Sequence, residues 1–110
     1  MNRGFFNILM SDSPSHETFL LLQKDFDLLE KADEFDEEKA IALLSKVISY
    51  MLDRQFERLL QICYRIDLGE EKLKRILHES EPDQVASDLA QALWTRQKQK
   101  VEIRKRHSIK

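Results

Sequence analysis

Glycine and proline are nearly missing from this chain, with two of each in 110 residues, and there is one cysteine and one tryptophan. So little turn chemistry excludes an all-β fold built on many hairpins, and two glycines leave no room for a phosphate-cradling or dinucleotide loop. A single Cys63 cannot form an intramolecular disulfide; on an apolar helical face it reads as a small buried hydrophobe. No apolar run is long enough to span a bilayer. Residues 5–10 form only a short apolar patch, broken by Asn7 and followed by Ser11, Asp12 and Ser13. No secretory signal is therefore expected, and a reduced, cytoplasmic setting is.

What is present is charge, 35% of the residues, set between apolar positions that recur at helical spacing. The fold expected is all-α, a compact bundle of about five helices with short connections. Residues 1–12 read as an irregular or mobile terminus, although Phe5, Phe6, Ile8, Leu9 and Met10 could dock on the core. Residues 13–95 read as the bundle and residues 96–110 as a basic helical extension.

Ser13 before Pro14 marks a helix start, and residues 14–31 would bury Phe19, Leu22, Phe26 and Leu29, with Leu21 and Leu28 widening the stripe. Asp36, Glu37 and Glu38 open a second helix with the stripe Ala40, Ile41, Leu44, Val47, Ile48, Met51 and Leu52. Asp53, Arg54 and Gln55 interrupt the pattern at a tight corner. From Phe56 the apolar positions Leu59, Leu60, Ile62, Cys63 and Ile66 share with it an arc of roughly 160°, which predicts a central helix touching two neighbours. Tyr64 lies at the arc's edge, where its hydroxyl reaches water or a partner.

Asp67, three residues before Glu70, predicts an N-cap for a fourth helix that buries Leu73, Ile76 and Leu77. Ser80, with Pro82 and Asp83 behind it, predicts the cap of a last helix packed through Val85, Ala86, Leu89, Ala90, Leu93 and Trp94. Beyond Trp94 the stripe dissolves among charges, which predicts a helical end running into solvent or onto a partner.

The net charge of −2 conceals an asymmetry. Residues 1–38 hold ten acids and three bases, residues 39–95 nine acids and eight bases, and residues 96–110 one acid and seven bases. The basic end makes Arg96, Lys98, Lys100, Arg104, Lys105 and Arg106 the candidate partner-binding residues, for phosphates or an acidic protein surface. They spread around the helix without forming one stripe, and no aromatic follows Trp94 to stack on bases. The acidic front and basic tail also suit pairing with each other, within one molecule or between two.

The joint between the third and fourth helices has helix-turn-helix form, but Glu70 and Glu71 stand where a recognition helix would approach phosphates. Lys72, Lys74 and Arg75 soften that objection. His16, His78 and His107 are scattered, and the acids Asp33, Glu34, Asp36, Glu37 and Glu38 lack the glycine and spacing of a calcium loop. No catalytic residue, metal ligand or cofactor site is expected, and the chain is read as a non-enzyme.

The string Leu60-Gln61-Ile62-Cys63-Tyr64-Arg65-Ile66-Asp67, then Glu70-Glu71-Lys72-Leu73 and Arg96-Gln97-Lys98-Gln99-Lys100, resembles small uncharacterised bacterial all-helical proteins. The resemblance spans about residues 40–104 and implies a bacterial cytosolic context without an assigned activity. The expectation is a helical protein-interaction module, with self-association one form of it and no membrane partner. The rival reading is nucleic-acid or ribosome association through the basic end.

Overall fold

A computed structural model describes residues 14–27 and 36–108 of the protein, and the five elements within them are all helices. They are α1 (Pro14–Phe26), α2 (Glu37–Arg54), α3 (Phe56–Ile66), α4 (Glu70–Glu79) and α5 (Val85–Ser108). Together they form the all-α bundle the spacing predicts. The expectations for residues 1–13 and for Leu28 and Leu29 lie outside the described residues.

Local chemistry sets most of the boundaries. Asp36 caps α2, its carboxylate accepting from the backbone N–H groups of Glu38 at 2.9 Å and Lys39 at 3.3 Å. The corner after α2 is tight, as the sequence suggests, but shorter than the three residues read there: Asp53 and Arg54 stay in α2 and Gln55 alone makes the turn. The first helix, expected to reach residue 31, instead ends at Phe26, because Asp27 takes a left-handed conformation (φ 55°) that a helix cannot continue.

The joint between α3 and α4 is built differently from the expected cap. Asp67 does not cap α4; it closes α3 in the left-handed region, with φ 66°. Its N–H bonds the carbonyl of Tyr64 at 3.0 Å, and the N–H of Leu68 bonds that of Cys63 at 3.1 Å. This is a Schellman closure, and the buried Leu68 supplies its usual hydrophobic contact. Gly69 occupies the cap position of α4 at φ 102°. A Cβ there would meet nothing within 4 Å, so the need for glycine is conformational.

Ser80 likewise ends α4 and does not cap α5. Its hydroxyl donates to Asp88 at 2.7 Å in the first turn of α5, which begins at Val85 after a turn over residues 81–84.

The largest correction concerns the centre of the fold. α5, not α3, packs most extensively against the other helices, above all α2 and α1. Leu89, Ala90, Leu93 and Trp94 are buried, and so are Gln97 and Val101, beyond the point where the stripe was expected to dissolve. At about 100° per residue these positions and Ala92 occupy an arc of roughly 200°, wide enough for neighbours on several sides. In α3, Leu59, Ile62, Cys63 and Ile66 are buried, but Phe56 is 42% exposed and Leu60 only half-buried. Burial pushes the Cys63 thiol up to about 11, so it stays protonated at neutral pH, as a packed hydrophobe would.

Candidate functional site

The six basic residues of the C-terminal end occupy the last three turns of α5, where the structure gives five of them partners inside the molecule. Arg96 donates to the backbone oxygen of Asp67 at 2.9 Å and to its carboxylate at 3.1 Å, holding the left-handed residue that closes α3. One turn on, the Lys100 ammonium reaches the carbonyl of Ile66 at 3.2 Å. These two cations therefore satisfy the end of α3, where the helix dipole favours positive charge. Lys98 bonds Glu37 at 3.3 Å, in the first turn of α2. Arg104 at 2.7 Å and Lys105 at 3.0 Å both bond Glu17 of α1. Arg106 alone of the six is exposed without an ion pair among the described residues.

The spread of these cations around the helix thus has a structural cause. Arg96, Lys100 and Arg104 continue the inward side of α5 below Leu93, and Lys98 and Lys105 continue its edge below Trp94. The stripe changes from apolar side chains to long cationic ones, whose stems can cover apolar surface while their heads reach acids and carbonyls on α1, α2 and α3. The pairing of acidic front with basic tail is realised within one molecule by Glu17 and Glu37.

Glu17 is the most strongly conditioned acid. Burial pushes its carboxyl upward, but hydrogen bonds and charge from Lys105 and Arg104 outweigh that and hold it below its ordinary value. A lowered folded pKa means that its stabilisation is complete above the unfolded value and is lost as pH falls through the folded one.

Glu37 also accepts a hydrogen bond from the indole Nε1 of Trp94, the only tryptophan in the chain, which is 2% exposed. Trp94 is therefore a clean reporter of the contact between α2 and α5. Glu37→Ala, which removes the acceptor, should shift its emission and lower the urea midpoint, with a cost of about 1.5–3 kcal/mol for a hydrogen bond involving charge. An unchanged spectrum and midpoint would show that Glu37 does not hold the indole.

Two further features lie on the surface around α3. Between α1 and α3 lies a polar cleft of about 400 Å³ lined by Lys24, Asp25, Asp27, Arg58, Gln61 and Arg65. Two ion pairs span it, Arg58 to Asp27 at 2.7 Å and Arg65 to Asp25 at 3.4 Å. On α3, Phe56, Leu60 and Tyr64 follow one another at four-residue spacing and so share a face. Phe56 and Tyr64 are 42% and 58% exposed. That apolar face was hidden in the sequence because Phe56 and Leu60 belong to the same wide arc as the core positions. Only the placement of neighbouring helices separates the two.

Lys72, Lys74 and Arg75 are exposed on α4, but Lys74 pairs with Glu70 at 3.3 Å and the carboxylates of Glu70 and Glu71 stay in its first turn. Among the described residues no group of three or more histidine, cysteine or acidic side chains is placed to hold a metal ion. No described helix is long and apolar enough to cross a membrane. No family model, curated protein or solved structure matches the chain.

Proposed function

We propose that the protein is a helical interaction module that self-associates, with the face of α3 bearing Phe56, Leu60 and Tyr64 as its contact surface. The observation that carries this reading is that two large aromatic side chains remain well exposed on a helix whose other face is fully packed. Aromatic residues of this kind, apolar in body and, for tyrosine, polar at the tip, suit a surface that is wet in one state and covered in another. The basic end is a weaker candidate, since most of its cations are engaged with α1, α2 and α3 and would have to leave those partners to bind another.

Size-exclusion chromatography with light scattering, over a range of protein concentration, tests the proposal. The parent protein should pass from monomer to dimer as concentration rises, and Phe56→Ser combined with Tyr64→Ser should remain monomeric. A parent that stays monomeric throughout sinks the reading. Salt-sensitive binding of generic nucleic acid by that monomer, removed by Arg106→Glu or by charge reversal at Lys98 and Lys100, would favour the nucleic-acid alternative instead.

A further inference from the structure

Beside the row of Phe56, Leu60 and Tyr64 on α3 runs a second row. One residue on from each of them stand Glu57, Gln61 and Arg65, again four apart, so that an acid, an amide and a base follow in order along the exposed flank of the helix. Neither Glu57 nor Gln61 has an ion pair or a side-chain hydrogen bond among the described residues. Arg65 holds Asp25 through Nη1 alone, at 3.4 Å, and its side chain is 68% exposed. A guanidinium carries five donors, so this arginine can hold Asp25 and accept a second carboxylate.

The order of that row is self-complementary in one orientation. When a second α3 lies antiparallel on the first, with the two-fold axis passing beside Leu60 and Gln61, the charged row of one copy faces the same row of the other reversed. Glu57 then meets the partner's Arg65, and Arg65 the partner's Glu57. Gln61 meets its own copy at the axis. On the apolar row Phe56 meets the partner's Tyr64, the isologous pattern of a closed dimer. A parallel pair lacks this match, because its axis runs along the helix and sets each charged row against the opposite flank, that of the buried Leu59 and Cys63.

The size of α3 fixes what charge can do here. Its 11 residues span about 16 Å, so one face of it covers well under the roughly 800 Å² per partner of a standard complex. The contact is reversible, and the charges choose its orientation more than its strength.

We infer that the occupant of this face is the α3 of a second copy docked antiparallel, with reciprocal ion pairs from Glu57 to the partner's Arg65 selecting that orientation. The inference rests on the self-association reading and adds to it the register and the residues that set it.

Charge exchange in full-length protein tests the register. Glu57→Arg makes both pairs repulsive, and the dimer dissociation constant, measured by light scattering at low salt, should rise by about 3–10-fold. Adding Arg65→Glu to the same chain reverses each pair, keeps the parent's net charge of −2, and should bring the constant most of the way back. A double variant as weak as the single one, with Phe56→Ser and Tyr64→Ser still abolishing the dimer, overturns the antiparallel register and leaves association through α3 standing. A parent that never dimerises removes both.

Arg65→Glu also brings like charge to Asp25, so a second measurement leaves that residue alone. Gln61→Cys places a thiol at the two-fold axis, while the native Cys63 is 1% exposed and shielded from reagent. A short bis-maleimide should link the Gln61→Cys dimer and leave the parent unlinked. Gln61→Cys chains that dimerise without being linked overturn the register by a route that does not depend on charge.

Discussion

Truncation after Trp94 should unfold the protein or leave it without cooperative tertiary structure. The deletion removes Val101, 1% exposed, and Gln97, 7% exposed, together with the cations that hold Glu17, Glu37 and the end of α3. Burying a valine side chain is worth about 1.5–3 kcal/mol. Its loss comes with new exposure of the α1 surface that α5 covers, and a domain of this size has only about 5–15 kcal/mol in reserve. Far-UV circular dichroism through a thermal ramp measures the outcome. A cooperative melt within about 2 °C of the full-length protein would show that the last turns of α5 are an appendage after all. Because the deletion strikes the core, the role of individual basic residues has to be tested by point substitutions.

The second large effect is expected at Leu93. It is fully buried on the helix that contacts every other, and Leu93→Ala should cost about 2–5 kcal/mol through lost burial and the cavity left behind. Leu60→Ala, on the half-buried flank of α3, should cost about 1 kcal/mol, near the centre of the distribution for ordinary substitutions. Urea midpoints of the two variants give the ranking directly. A larger loss at Leu60 than at Leu93 would return the centre of the fold to α3.

Much of this architecture follows from local rules. The stripe Ala40, Leu44, Ile48 and Met51, the carboxylate cap at Asp36 and the corner at Gln55 depend on neighbours within a few residues, so the sequence alone identifies them. The end of α3 at Ile66 is also visible. Its mechanism is not, because Asp67 carries the features of an N-cap and of a left-handed closure at once. Arg96, 29 residues away, bonds both its carbonyl and its carboxylate in the closing role.

The same separation between local and distant causes governs the surface. Hydrophobic periodicity places Phe56 and Ile62 on one arc of α3 but cannot say which side of that arc a neighbour covers. Periodicity also stops counting at Trp94, since lysine and arginine score as solvent-facing even when their heads are held by Glu17, Glu37 and the carbonyl of Ile66.

The sequence by itself determined an all-helical chain, most helix boundaries and an opposition of acidic front and basic end, because each depends on residue type and short-range spacing. Tertiary structure alone decided that α5 is the centre, that its cations bind the molecule's own acids, and that Phe56 and Tyr64 face outward. Those outcomes depend on which helices lie side by side, a relation between residues tens of positions apart that no local pattern encodes.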